Sequence, residues 1–260
     1  HLSLRRQRQM CIRDRVGFGV VLNKDGSFQR TAKFRGPDLD SAVAAELVAV
    51  AGRLNNAFRR LGSGWAIFVE AQRSEAATYP ASRFPDPASA LVDAERKADF
   101  EEKGSHFVSG YFLTFLWLPP AEDAARSESW LYEGRETSSV NPWELVRGFA
   151  DRTDRVLALL DGFMPECRWL DDAGTLTYLH STISINRHRV RVPETPTYLD
   201  ALLADQPLTG GLEPRLGNQH LRVLTITGFP ATTTPGLLDE MNRLAFPYRC
   251  LLYTSPSPRD

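Results

Sequence analysis

The chain has 260 residues, with 31 basic and 32 acidic side chains and a formal net charge of −1. That balance excludes a strongly basic nucleic-acid binder, and no apolar run reaches the ~18 residues needed to span a bilayer. Cys11, Cys167 and Cys250 form no C-x-x-C pair, so neither a multi-cysteine metal site nor a local redox motif is expected.

In chain order, the first stretch does not read as protein. Met10 to Asp14 is the in-frame translation of ATG TGT ATA AGA GAC, a transposon-type sequencing adapter, and Cys250 to Ser255 reads from TGT CTC TTA TAC ACA TCT, whose reverse complement contains the same string. Residues 1–15 and 250–260 are therefore expected to be adapter-derived and are set aside from fold reasoning. Without their six arginines and two aspartates, 25 basic residues face 30 acidic ones, a net charge of −5. Cys167 becomes the lone cysteine, which fits the cytoplasm more easily than an oxidising compartment. The remaining residues 16–249 are long enough for one large domain or two small ones, with a division near 120–140 or 165 left open.

Val20-Val21-Leu22 runs into Asn23-Lys24-Asp25-Gly26, and Ser27 to Arg35 follows with partial alternation. This predicts a β-hairpin, with the glycine supplying the positive φ of its turn. Gly36-Pro37 breaks the strand, and Asp38, Asp40 or Ser41 is placed to cap a long amphipathic helix. Val43, Leu47, Val50, Leu54, Phe58 and Leu61 form its apolar stripe before Gly62 and Gly64 stop it. Trp65 to Glu70 predicts a strand, Arg73 to Pro87 a proline-punctuated loop, and Ala88 to Lys103 a helix. His106 to Leu118 reads as a long aromatic strand for the middle of a sheet.

A charged insertion from Ala121 to Ser139 is expected next, partly helical around Ala124 to Tyr132. A helix then opens at Asn141-Pro142 and buries Leu145, Phe149, Val156, Leu159 and Leu160. Arg168 to Leu170 is a short strand candidate, and Asp172 can cap a helix with Leu176, Tyr178, Leu179 and Ile183. Tyr198 to Ala204 predicts a short helix, Leu208 to Leu212 a turn, Leu221 to Thr227 a cleanly alternating strand, Pro235 to Leu244 a helix, and Phe246 to Arg249 a further strand. The pattern gives an α+β fold, helices packed on a largely antiparallel mixed sheet with an N-terminal β-hairpin followed by a long amphipathic helix. A doubly wound sheet is the alternative.

Several of these stretches together resemble a known family. Leu22 to Ser27 with Arg30-Thr31, Arg35 to Ser41, Arg53 to Ala57, Arg60 to Ala66, Tyr111 to Phe115 and Leu176 to Ser181 are similar to the amino-terminal domain of the TrbE-type conjugal transfer ATPases, the large ATPase class of type IV secretion systems. The resemblance continues to about Tyr248. It implies an assembly and interaction domain on the cytoplasmic face of the bacterial inner membrane, contacting inner-membrane components of the conjugation channel and neighbouring copies. The parent protein is implied to be an ATPase that energises pilus assembly and DNA or protein transfer, with ATP and Mg bound in a motor domain missing here.

The residues themselves offer little chemistry. A phosphate-binding loop needs G-x-x-x-x-G-K-[ST], and no Gly-Lys pair occurs. No nucleotide cofactor is expected for this stretch. Val156 to Asp161 superficially resembles a magnesium-binding strand, but its periodicity fits a helix end better, and Gly17-Phe18-Gly19 lacks the third glycine of a dinucleotide fingerprint. His180 and His188, near Asp171 and Asp172, raise the idea of a metal site; with no H-E-x-x-H and no cysteine partner, structural histidines are the preferred reading. Asp172, His180 and Ser181 define the competing expectation of a self-contained hydrolase or nucleotide-binding enzyme, although G-x-S-x-G is absent. Arg187 to Arg191 is a concentrated basic run, read as a solvated edge or a contact for an acidic partner. No catalytic, cofactor-binding or metal-binding residue is assigned, and direct nucleic-acid binding is not expected.

Overall fold

The computed structural model describes residues 10–11, 19–23, 25–39, 41–76, 78–102, 106–120, 142–194, 199–234 and 236–254. The predicted insertion around 121–139 lies outside them. The hairpin forms as expected: Val20–Leu22 (β2) and Phe28–Arg35 (β3) pair antiparallel. At its turn Gly26 has φ +79°, and the Asp25 carboxylate accepts both the N–H and the hydroxyl of Ser27, at 3.0 and 2.6 Å. A short side chain thus supplies the local bonds that a tight turn leaves unmet.

The hairpin is joined by Met10–Cys11 (β1), Trp65–Glu75 (β4), Phe107–Trp117 (β5), Glu166–Trp169 (β6) and Tyr248–Thr254 (β10). Together they build an antiparallel sheet in the order β1-β2-β3-β5-β4-β10, with β6 also on β3. β5 sits between β3 and β4, as its aromatic run predicted. β4 continues five residues past Glu70, because its partner β5 is equally long. β6 joins the β3 edge beyond β2, pairing Ala32 with Trp169.

The sheet is covered on both faces. β2 shows why: Val20, Val21 and Leu22 are all buried, so successive side chains that point to opposite faces both meet a core. On one face Phe28, Trp65, Leu113, Phe115 and Trp117 pack with Ala57 of Ala44–Phe58 (α1) and with Val146, Phe149, Val156, Leu157 and Leu160 of Pro142–Asp161 (α3). Phe149 stacks 5.5 Å from Trp65 and 6.4 Å from Trp117, a close aromatic core. On the other face Val21 and Phe112 meet Leu176, Tyr178 and Leu179 of Asp172–Ile183 (α4) and Leu199 and Leu203 of Leu199–Leu203 (α5). The fold is α+β, with helices on a mostly antiparallel sheet and an N-terminal hairpin.

Several local expectations change. α1 starts at Ala44 with Val43 as N-cap, and Glu46 accepts the Val43 N–H at 3.0 Å. Its stripe is only half-buried: Val43 is 60% exposed, Leu54, Phe58 and Leu61 pack partly buried against the core, and the buried residue of the helix is Ala57. Leu159 of α3 lies at the surface while Val146 and Leu157 take its place in the core. Pro87–Glu102 (α2) forms as predicted but buries no residue. Leu221 to Thr227 is not a strand; it runs as exposed coil. In place of the helix expected from Pro235 to Leu244, the described residues form a 3-10 turn, Asp239–Arg243. Leu208–Thr209 (β7), Arg215–Leu216 (β8) and Gln219–His220 (β9) make a small separate sheet.

The last strand, predicted from Phe246, begins at Tyr248 and continues through Thr254, paired with β4 from Arg73 to Ile67. Whatever codons specify Cys250 to Thr254, Leu, Leu, Tyr and Thr suit a strand. The edge of β4 away from β5 is a ready template for such a segment.

Candidate functional site

The polar residues singled out from the sequence gather on or beside α4, at the face of the sheet it covers. The helix is capped by Asp171, not Asp172: the Asp171 carboxylate accepts the Gly174 N–H at 2.6 Å, meeting one of the free donors of the first turn. Asp172 turns inward instead and accepts the Gly19 N–H at 2.7 Å. Gly19 has φ +80°, and a Cβ there would collide with the Leu170 carbonyl. Asp172 therefore ties the start of β2 to the start of α4.

This placement separates the three residues of the hydrolase expectation. Asp172 and His180 are eight positions apart on one helix, about 12 Å along its axis at 1.5 Å per residue. Ser181 donates its hydroxyl to the Tyr178 carbonyl at 2.6 Å and accepts from Gln72 Nε2 at 3.0 Å. The structure brings no acid to a histidine to a nucleophile here. The hydroxyl proton of Ser181 is engaged by its own helix, as is common for serine within a helix.

Two polar clusters do form. The first is buried between β4, β10 and α4. Glu70, 2% exposed, accepts the Tyr178 hydroxyl at 2.8 Å through Oε2 and Arg249 Nε at 2.6 Å through Oε1. Arg249 Nη2 also contacts Glu70, and its Nη1 reaches the Ser181 carbonyl at 3.2 Å. Burial, and then the Glu70 charge, push the Tyr178 hydroxyl well above its usual range. A carboxylate out of water is tolerable only with such partners.

The second cluster also lies at the C-terminal end of α4. His180, 2% exposed, places Nε2 3.1 Å from Asp205 Oδ2, yet the two atoms are not aligned as a hydrogen bond and the nitrogen has no other hydrogen-bond partner. The His188 ring meets it edge-on, 4.4 Å between centroids. Asp205 is held by Asn186 Nδ2 at 2.8 Å. That bond first, then one from Ser184, keeps its carboxyl down at about 2. His180 and His188 thus come together, but with Asp205 and not with Asp171 or Asp172.

The basic run is dispersed by the fold. Arg189 turns to Asp171 at 3.7 Å, Val190 is buried with its N–H on Thr177 Oγ1 at 3.0 Å, and Arg187 lies beside Arg249 and Glu70, its pKa lowered first by burial. Val156 to Asp161 is the end of α3, as periodicity indicated. Among the described residues no helix is long and apolar enough to cross a membrane.

Comparison with known proteins places these observations in a family. Residues 19–125 match the family model for the N-terminal domain of the type IV secretion system ATPase VirB4/TrbE. The chain is 33% identical over 251 residues to the conjugal transfer protein TrbE of Rhizobium radiobacter, an alignment covering 90% of this chain and 30% of that protein. In Sinorhizobium fredii (strain NBRC 101917 / NGR234) a probable conjugal transfer protein TrbE is described in two pieces. The first is 40% identical over 107 residues, covering 40% of this chain and 72% of the relative. The second is 35% identical over 74 residues, 28% of this chain and 11% of its own length. The chain therefore spans under a third of the Rhizobium relative. It belongs to the VirB4/TrbE family of type IV secretion system ATPases and carries that family's N-terminal domain.

Proposed function

We propose that residues 16–249 serve assembly and not hydrolysis: they dock a conjugative ATPase at the cytoplasmic face of the bacterial inner membrane, against channel components and neighbouring copies. In this reading ATP and Mg belong to the portion of the relatives' length that this chain does not span, and hydrolysis there energises pilus assembly and transfer. The observation that carries it is the match of residues 19–125 to an N-terminal domain, within an alignment that spans only 30% of a TrbE protein. The absence of any Gly-Lys pair from the sequence supports it. So does the engagement of Asp172 and Ser181 in bonds that hold elements together, to Gly19 and from Gln72. Residues 16–249 are taken as one unit because β6, late in the chain, completes the edge of the early strand β3.

The test is competition in a donor cell. Overproduced in a strain whose transfer depends on TrbE, the chain should co-sediment with inner membranes and lower transfer frequency by occupying docking positions. The purified chain should show no ATP turnover. Unchanged transfer together with a wholly unbound chain would reject the docking role, and ATP turnover that tracks with the chain would reject the division of labour.

A further inference from the structure

We propose that His180, His188 and Asp205 form a binding site for a single divalent transition-metal ion of the zinc class, which fastens the 184–194 segment and the end of α5 to α4. Three observations carry this. First, one ligand atom from each residue lies within 4.8 Å of the others, and the His180 to Asp205 separation is already 3.1 Å. Zinc bonds of 2.0 to 2.2 Å in a tetrahedron set ligand atoms roughly 3.3 Å apart. The remaining gap is closed by turning His188, whose side chain is exposed.

Second, His180 Nε2 is buried and aimed into this cluster, 3.1 Å from the Asp205 carboxylate but poorly aligned with it as a hydrogen bond. Native interiors rarely leave such an atom unmet, so one that persists calls for an explanation such as an ion. Third, the cluster has the outer support that metal sites use to orient their ligands. Asn186 Nδ2 bonds Asp205 at 2.8 Å, and Gln206 Oε1 accepts the Ile185 N–H at 3.2 Å, closing the segment over the site.

Two imidazoles and one carboxylate suit zinc, cobalt or nickel better than calcium or magnesium, which prefer all-oxygen sites. The nearby cations do not compete. Arg189 faces Asp171 and Arg187 faces the Glu70 and Arg249 cluster. With three protein ligands the fourth position would be left to water. Its contribution is cohesion: ligands at 180, 188 and 205 close two loops of the layer that covers one face of the sheet.

The experiment uses the whole chain, stripped with chelator and titrated with Zn²⁺ by calorimetry and with Co²⁺ by visible absorption. One ion should bind per chain, and the thermal midpoint should rise with ion concentration. His188→Ala and Asp205→Asn should weaken binding by at least about ten-fold and abolish the midpoint shift, and Asn186→Ala should weaken it by about ten-fold through the orientation of Asp205. H188A and D205N are each judged against their own metal-free midpoint, which separates a folding defect from loss of the ion. His220→Ala, on the separate small sheet beside Glu213, should bind as the parent does. The proposal is overturned by a lack of stoichiometric binding, by binding that H188A and D205N leave unchanged, or by a thiolate-to-cobalt charge-transfer band that assigns the ion to cysteine.

Discussion

Arg249 holds the carboxylate of Glu70 from a diagonal position across β4 and β10, Nε to Oε1 at 2.6 Å, although the two residues lie 179 positions apart. Glu70 is nearly sealed from water, so this contact decides whether the last strand can close the sheet. Removing one partner of a buried ion pair strands the other charge, a loss of about 3 to 5 kcal/mol. Arg249→Ala should therefore lower the unfolding free energy by about 3 kcal/mol in urea denaturation. Glu70→Gln in the same background should recover part of the loss, because the stranded charge is gone. A loss below about 0.5 kcal/mol, the range of ordinary surface substitutions, would mean that β10 does not seat Arg249 on Glu70.

Tyr178 completes the same cluster and gives it a pH signature. Its hydroxyl donates to Glu70, and its folded pKa is raised above the ordinary 10.0. The folded state then keeps a proton that the unfolded chain gives up, so the stabilisation is complete below pH 10 and drains away as pH rises beyond it. Tyr178→Phe should cost about 1.5 to 3 kcal/mol at neutral pH, the worth of a hydrogen bond to a charged group. Above pH 10 the variant and parent should converge, a difference read directly from paired denaturation curves. Parallel curves across that range would remove Tyr178 from the cluster.

How far these features could be read from the sequence follows the range of the interactions. The hairpin was legible because its turn is local: Asn23 to Gly26 carry both the positive φ and the side-chain bonds. β5 was legible from its aromatic density. The cap of α4 was missed by one residue because Asp171 and Asp172 are chemically equal until Gly19 claims the second. A site at His180 and His188 could be imagined from the sequence only with Asp171 and Asp172 as its acids; Asp205 sits beyond another helix, and nothing near it in sequence points back. Glu70 and Arg249 are further apart still. Leu221 to Thr227 fails differently: alternation says which side chains would share a face, but a strand also needs a neighbour to bond with.

Two glycines, one inside the long N-terminal helix and one just after it, should respond oppositely to alanine. Gly52 lies in the exposed interior of α1, where an added Cβ meets nothing within 4 Å. There Gly52→Ala removes unfolded-chain freedom and should stabilise by about 0.5 to 1 kcal/mol. Gly64 has φ +82°, and a Cβ there would strike the Leu118 carbonyl, next to the 2.8 Å bond from Leu118 N to Gly64 O. Gly64→Ala combines left-handed backbone strain, itself about 1 to 2 kcal/mol, with that collision. Thermal midpoints of the two variants should move in opposite directions, and a neutral Gly64→Ala would contradict the placement of the α1 to β4 turn.

The exposed coil from Leu221 to Thr227 offers a sharper contest between pattern and placement. Val223 and Leu224 are each 83% exposed, and adjacent residues of a strand could not both be so exposed if one face met a core. If the alternation had produced a packed strand, truncating the inward residue would open a cavity, and replacing Leu with a smaller polar group would cost well over about 2 kcal/mol. In the observed coil neither side chain has a core contact to lose. Val223→Thr and Leu224→Thr should each change unfolding free energy by no more than about 0.5 kcal/mol. Amide hydrogens across 221–227 should exchange much faster than those of β5, because solvent-exposed coil opens at little cost while central strands open near the global limit. Slow exchange here, with a large loss in either variant, would show that the alternating pattern finds a partner after all.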